Sequence, residues 1–302
     1  MSDIMVIGSA SIDFNVTAPR LPAAGETVLG HRFFQVCGGK GANQAVAAAV
    51  LTGRVAMVAR VGDDAAGRTI VAALQAAGVD TRYVTVDNHA PSGTAHITVG
   101  DGGENAIVVV PGSNAQLSRA DIDAARPAIA SAKVLMLQLE IPMSTALYAL
   151  QVAAEYRVPT ILDPAPAPAE PLPEAFYPLA AWATPNENEA AALCGFTIDG
   201  VAAATRAVRL LQQRGVRMPV VKLGAAGSVY AGGHVPAFKV KVVDTTAAGD
   251  AFAAGLAVAL VEGKRPADAL RFASAVGALT TTRYGAQPAL PNRAEVAELL
   301  AQ

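Results

Sequence analysis

Cysteine is almost missing from this chain: two residues in 302, Cys37 and Cys194. Two thiols cannot build a disulfide framework, and their spacing fits no metal-ligand pattern. They read as reduced thiols of a cytoplasmic protein. Histidine is nearly as scarce, and His31, His89, His96 and His234 form no H-E-x-x-H or similar array. Charged residues make up only 16%, with a formal net charge of −2, which leaves no basic footprint for nucleic acid or an anionic membrane. Long hydrophobic runs are missing too. Ala251–Val261 falls short of the ~20 apolar residues a membrane span needs and reads as a buried core helix. Asp3 stands before the short apolar run Ile4–Ile7, where a secretory signal would carry basic residues. Neither the G-x-S-x-G nucleophile elbow nor a complete G-x-G-x-x-G dinucleotide fingerprint occurs.

What the chain has is apolar bulk and alternation. Hydrophobic residues make up 52%, ample for one large core. Short β-rich runs alternate with alanine-rich helical stretches. Met5–Gly8, Ala56–Val61, Val134–Gln138, Thr160–Leu162 and Val220–Leu223 read as strands. Ala42–Leu51, Ala65–Ala77, Ser144–Tyr156 and Ala202–Arg214 read as helices. Continuous apolar strands separated by helices predict an α/β fold, with a predominantly parallel sheet covered by helices on both faces. Two regions break the pattern. Thr94–Val99 and Ala106–Val110 flank Gly100-Asp101-Gly102-Gly103 as a hairpin, and Val28–Val36 leans towards a strand. Together they suggest a small antiparallel sheet beside the core. Pro164–Pro173 reads as a loop inside one domain rather than a linker.

Two segments carry the strongest chemical signal. Asp244-Thr245-Thr246-Ala247-Ala248-Gly249-Asp250 leads into a helical run. Its small residues let the backbone curl against a ligand, and free N–H groups at the helix start would hold an anion. Asp250 is then either a structural carboxylate at a helix start or an acid that reaches a hydroxyl beside that anion. Gly38-Gly39-Lys40-Gly41-Ala42-Asn43-Gln44-Ala45 also enters a helix, but it is not a Walker A loop, which needs G-x-x-x-x-G-K-[ST]. Amides, a lysine and an asparagine clustered this way suit a polyhydroxylated ligand, or else form a plain strand-to-helix turn. Asp13 follows the first strand and serves a turn or two adjacent hydroxyls. Glu140 lies at the carboxyl end of a strand, where open α/β sheets bind ligands. Asn186-Glu187-Asn188-Glu189 reads as a capped helix start. A carboxylate pair for glycoside hydrolysis would leave the glycine-rich anion turn unexplained.

These segments together resemble the ribokinase family of carbohydrate kinases, in order and along nearly the whole chain. Gly38–Ala48 and Ala247–Phe252 are the specific ones. Pro22–Val28, Val61–Asp64, Gly103–Asn105, Asp163–Ala167, Thr184–Glu187 and Gly285–Pro288 add to them. The resemblance implies a single domain over residues 1–302, with a β lid drawn from about 11–37 and 92–111 through which such proteins form homodimers. It implies ATP-dependent phosphorylation of the primary hydroxyl of a furanose, D-ribose before deoxyribose, fructose or a nucleoside. A sugar-binding regulator on the same scaffold is the non-enzymatic alternative. Ser11, Asp13, Gly39, Lys40, Asn43 and Glu140 match sugar-contacting positions. Asp250 matches the catalytic base, and Ala247, Ala248 and Gly249 the anion hole beside it. Asn186 and Glu189 match an N-x-x-E element associated with phosphate and Mg2+. Lys222, Leu223, Gly224, Ala225, Ala226 and Gly227 match the loop beside the nucleotide, and Ser274 a position bordering the adenine. Asp244, Thr246, Thr280, Arg283, Gly285 and Ala289 match two loops around a monovalent cation, usually K+. The chain departs from the pattern at Ser11 (Asn in the family), at Ser274 (often His) and at Ala289 (often Ser).

Overall fold

The computed structural model describes residues 2–168 and 170–302. The chain runs through β1 (Ile4–Ile7), β2 (Ser11–Ala18), β3 (Arg32–Gly38), α1 (Lys40–Thr52) and β4 (Val55–Gly62). It continues with α2 (Ala65–Ala76), β5 (Asp80–Asp87), β6 (Gly93–Gly100) and β7 (Asn105–Val110). Next come α3 (Arg119–Ala124), α4 (Arg126–Ser131), β8 (Val134–Leu137), α5 (Met143–Glu155) and β9 (Thr160–Leu162). After them lie β10 (Trp182–Ala183), α6 (Glu187–Cys194), α7 (Val201–Gln213), β11 (Met218–Lys222), β12 (Ser228–Tyr230) and β13 (Gly233–Val235). Three helices close the chain: α8 (Ala248–Val261), α9 (Pro266–Thr280) and α10 (Arg293–Leu300). Ala169, within the Pro164–Pro173 loop read from sequence, lies outside the described residues.

Nine strands form the main sheet in the order β13-β12-β11-β10-β9-β8-β1-β4-β5. The seven from β11 to β5 run parallel, and β12 and β13 add an antiparallel edge. Successive side chains point to opposite faces, so one face presents Ile4, Val6, Met57 and Met136 to the packing of α1, α8 and α9. The other presents Met5, Ile7, Val58 and Leu135 to α5 and its neighbours. Residues buried on both faces explain why these strands read as unbroken apolar runs.

The pair α8 and α9 is built from small residues, and the reason is steric. A Cβ on Gly255 would lie 3.0 Å from Ala273 Cα, and one on Gly277 3.2 Å from Ala248 O. Close approach there seats the start of α8 deep in the molecule.

A second sheet, ordered β3-β2-β6-β7, stands apart from the first. Its centre pairs β2 with β6 in parallel, and both edges are antiparallel. The strand expected over Val28–Val36 starts only at Arg32 and runs on to Gly38. Its ladder with β2 ends at the pair Thr17↔Arg32, because β2 itself stops at Ala18 before Pro19. Residues 28–31 therefore have no strand to pair with. Asn114 clamps the passage between the two sheets. Its side chain accepts from Ala10 N and donates to Ala10 O, both at 2.9 Å.

Candidate active site

Asp250 sits in the first turn of α8, buried, with each carboxylate oxygen held by a different amide from α1. Asn43 Nδ2 donates to Oδ2 at 3.0 Å and Gln44 Nε2 to Oδ1 at 3.2 Å. The turn before it is strained. Ala247 adopts φ 59°, a left-handed conformation that costs a residue with a Cβ roughly 1–2 kcal/mol. That twist starts the helix at Ala248, whose N–H bonds Thr245 O, while Ala251 N bonds Ala247 O. The amides of Gly249 and Asp250 lie between, in the first turn, where the helix itself supplies no acceptor. A Cβ on Gly249 would come within 3.3 Å of Lys222 Nζ, so an ammonium lies directly over the turn.

These groups open into a pocket of about 180 Å³. It is lined by Lys40, Asp163, Asn186, Glu189, Lys222, Thr245, Ala247, Gly249 and Asp250, with Ala165 at its side. Two lysines and three carboxyls share this space. Burial pushes the Asp250 carboxyl up to about 6; Lys40 and the two amide donors oppose that rise, and neighbouring Asp163 adds to it. Burial also raises Glu189, against the pull of Lys222. For Lys40 burial works against the charge, but Asp250, Asp163, Glu140 and Glu189 outweigh it and hold the ammonium above the ordinary lysine range. The site therefore keeps a fixed positive charge beside a carboxylate whose proton is exchangeable near neutral pH.

Lys40 follows the end of β3, and so of the second sheet, by two residues. Asp13 lies on β2, opposite Val36 and Ala95, and accepts from Ser11 Oγ at 3.0 Å. Burial pushes its carboxyl up to about 6, with Ser11 lowering and Glu140 raising it. Asp13 is thus a strand residue and not the turn residue its position after β1 allows. A Cβ on Gly38 would lie 2.2 Å from Asp13 Oδ2, so only glycine leaves room for that carboxylate. Gly39, at φ 87°, passes within 2.8 Å (Cβ to Ala10 Cα) of the β1–β2 connection and delivers the chain into α1. Glu140, just past β8, accepts from Ser9 Oγ at 2.5 Å and Lys40 N at 3.0 Å.

The remaining candidates split. Asn186 caps α6 through its oxygen to Glu189 N at 2.9 Å. The Glu189 carboxylate accepts from Asn186 N and Nδ2. Both residues line the pocket while meeting the capping expectation in full. Leu223–Gly227 forms a tight turn after β11, closed by Leu223 N on Gly227 O at 2.7 Å. Asp244 joins two loops: it accepts from Thr246 N and Oγ1, and from Gly285 N at 2.8 Å. At three further cation-loop candidates the side chains are engaged elsewhere or apolar, which leaves the backbone carbonyls as the oxygens they offer. The Thr280 hydroxyl donates to Val276 O within α9, Arg283 pairs with Glu295, and Ala289 is buried without a polar side chain. Ser274 is half-buried on α9.

Against known proteins, a model of the pfkB family of carbohydrate kinases matches residues 1–293. The chain belongs to that family. A ribokinase of Bacillus subtilis is 43% identical over 304 residues, covering 99% of this chain and all of the relative. A deoxyribokinase of Salmonella typhi is 34% identical over 302 residues, covering 99% and 98%. Among solved structures, an Arabidopsis thaliana ribokinase complexed with ribose and ATP superposes with a TM-score of 0.91 at 35% identity, over the full length of both chains. The mostly parallel nine-stranded sheet with a separate four-stranded one is the ribokinase-like fold expected from the sequence.

For a carbohydrate kinase of this family, three further residues at the site went unassigned in the sequence. Asp163 is buried and accepts from Lys222 Nζ, Gln44 Nε2 and Thr184 Oγ1 at 3.0, 3.0 and 3.2 Å. Gln44 bridges it to Asp250. Ser9 steadies Glu140. Asp163 follows β9 as Glu140 follows β8, so the rule that used strand ends to find Glu140 also points to it. Gln44 and Ser9 have no such signal: a polar residue on an alanine-rich helix and a serine after a strand look ordinary until the fold brings carboxylates to them.

Proposed function

We propose that this chain transfers the γ-phosphoryl group of ATP to the primary hydroxyl of D-ribose, giving ribose 5-phosphate. The observation that carries the reading is Asp250: a buried carboxylate beside free helix-start amides, with an ammonium over the same turn. Phosphoryl transfer asks mainly for positioning and charge stabilisation. Asp13, Gly39, Lys40, Asn43 and Glu140 hold the sugar so that its primary hydroxyl faces Asp250, which accepts the proton as the oxygen attacks. The first-turn amides and Lys222 steady the charge on the phosphoryl oxygens. With a pKa of about 6, Asp250 is about nine-tenths ionised at pH 7 and ready to act as a base. The second sheet closes as a lid over the sugar and excludes water, which is the competing acceptor. One domain carries all of this, and its cytoplasmic setting keeps both thiols reduced.

Two ions fit the residues present. Mg2+ keeps waters and binds largely through substrate phosphates, so few protein oxygens are needed to orient it. Asn186 and Glu189 are the groups that would orient it; bound there, it would neutralise phosphate charge. Asp244 ties its two loops together at Thr246 and Gly285, and oxygen donors of that kind suit K+. The exposed β7, with Ile107, Val108 and Val109 in solvent, is the lid surface through which a homodimer forms. No helix among the described residues is long and apolar enough to cross a membrane.

The test is release of ADP from ATP and Mg2+ with ribose, 2-deoxyribose, fructose and a nucleoside in parallel. Preference for ribose supports the reading. Preference for another sugar moves the substrate within the family, with deoxyribose the first rival because Ser11 offers only one short hydroxyl. Sugar binding without ADP release leaves a sugar-binding regulator.

A further inference from the structure

We infer that Gln44 is a positioning residue for Asp250, and that Gln138 holds the Gln44 amide in the one orientation that serves it. The inference rests on the reading of Asp250 as the base. Gln44 and Gln138 are both fully buried. Gln44 Nε2 stands between two carboxylates, 3.0 Å from Asp163 Oδ2 and 3.2 Å from Asp250 Oδ1. Ionised carboxylates only accept hydrogen bonds, so the NH2 end must face them. The Gln44 oxygen is then turned the other way and needs a donor, which Gln138 Nε2 provides at 2.5 Å. Both amide orientations therefore follow from the carboxylates.

The arrangement has a cost that packing alone does not require. With its NH2 committed to Gln44, Gln138 is left with an Oε1 that has no hydrogen-bond partner among the described residues. A buried unpaired carbonyl is unfavourable, and native proteins seldom tolerate one without a use. Space for it is kept by Gly8, where a Cβ would lie 2.0 Å from that oxygen. Two amides and a glycine are thus spent on aiming one NH2 group.

That NH2 does two things. Between Asp163 and Asp250 it donates to both carboxylates and so offsets the repulsion between them. Lys222 fixes the far oxygen of Asp163, so the row Lys222–Asp163–Gln44–Asp250 runs from one pocket wall to the other. It also grips the Asp250 oxygen that Asn43 does not, which sets the plane of the carboxylate. Removing it disfavours the ionised form of Asp250 and raises the pH at which the base becomes available, without removing any group that contacts substrate.

The experiment is the pH dependence of kcat for the parent, Gln44→Met, Gln138→Met and Asp250→Asn. Both methionine variants keep length and apolar fit. In Gln44→Met the acid limb moves up by about one pH unit, the expected loss of one charge-assisted hydrogen bond. Turnover then falls up to about tenfold at pH 6 and recovers above pH 8, while KM for sugar and ATP stays within about twofold. Gln138→Met moves the limb the same way by less. A merely structural role would lower kcat equally at all pH. If a variant fails to fold, the parent decides: its Gln44 side-chain amide, followed by 15N NMR in the sugar-free protein, shifts with the same midpoint as the acid limb of kcat/KM, and an amide that ignores that midpoint overturns the inference. Near-parental turnover in Asp250→Asn removes the base reading, and the positioning role with it. An inactive Asp250→Asn beside an unmoved limb in Gln44→Met overturns the positioning role alone.

Discussion

Asp250 and Asp13 are both carboxyls pushed up to about 6 by burial, yet they stand on unlike supports. Asp250 begins a helix packed between α1 and α9, in contact with side chains that are themselves buried, and is 5% exposed. Asp13 sits half-buried in the four-stranded sheet, whose edge strand β7 is exposed at every residue. The group assigned to the chemistry is anchored in the core. The group proposed to hold the sugar is carried on the separate four-stranded sheet with its exposed edge strand, the sheet proposed as a lid. Geometry for proton transfer tolerates little displacement, whereas a sugar contact can form as the lid closes.

Changes on the two supports therefore have different signatures. The largest effect is expected at the floor: Asp250→Asn lowers turnover ~10²–10⁴-fold and leaves sugar affinity within about tenfold, read by steady-state kinetics beside calorimetry. Near-parental turnover would break the comparison at once.

Asp13→Asn is expected to act mainly on binding, weakening sugar affinity about tenfold or more for a lost charge-assisted hydrogen bond, with a smaller change in kcat. It also has a stability signature. The folded Asp13 pKa lies above the ordinary value, so the contribution of Asp13 to stability is fully present below pH 4 and is lost as pH rises through about 6. The variant should match the parent in thermal melting at pH 4 and exceed it at pH 8, by on the order of 1 kcal/mol once solvent screening of a half-buried group is allowed for. A gap that shrinks with rising pH contradicts the burial account.

Ser11→Asn sharpens the lid side further. It should raise the ratio of kcat/KM for ribose over 2-deoxyribose by about two- to tenfold, the value of one hydrogen bond. An unchanged ratio rejects Ser11 as a selector of the 2-hydroxyl. The smallest effect belongs to the floor again. K+ should raise activity a few-fold over equal ionic strength of a bulky organic cation, roughly the value of one charge near an anion turn. A flat titration argues against a working cation site between Asp244 and Gly285.

The sequence made the strands buried on both faces legible, and the β6–β7 hairpin, exposed along β7, through its glycine turn. β1, β4, β8, β9 and β11 were expected as strands because burial on both faces leaves unbroken apolar runs. β5 was not, since Asp80–Asp87 mixes polar and apolar residues with no clean alternation; β2 was not either, although Ser11–Ala18 alternates strictly, because Asp13 so soon after β1 also reads as a turn residue. β10, β12 and β13 are two or three residues long, and β12 and β13 carry Ser228, Gly233 and His234 where the equally short β9 shows the apolar pair Ile161–Leu162. At the site, glycine-rich turns revealed Lys40 and Asp250, because backbone demands leave a local trace. Gln44 and Gln138 work through partners 94 to 206 residues away, and long-range pairing leaves no local pattern.

The central claim is that the Asp250 carboxyl takes the proton. The most direct measurement is its own titration, followed by its carboxyl-carbon NMR resonance in the sugar-free protein, beside the pH dependence of kcat/KM. The account predicts one midpoint near 6 in both. A carboxyl that titrates near 4, with the kinetic limb elsewhere, would contradict it.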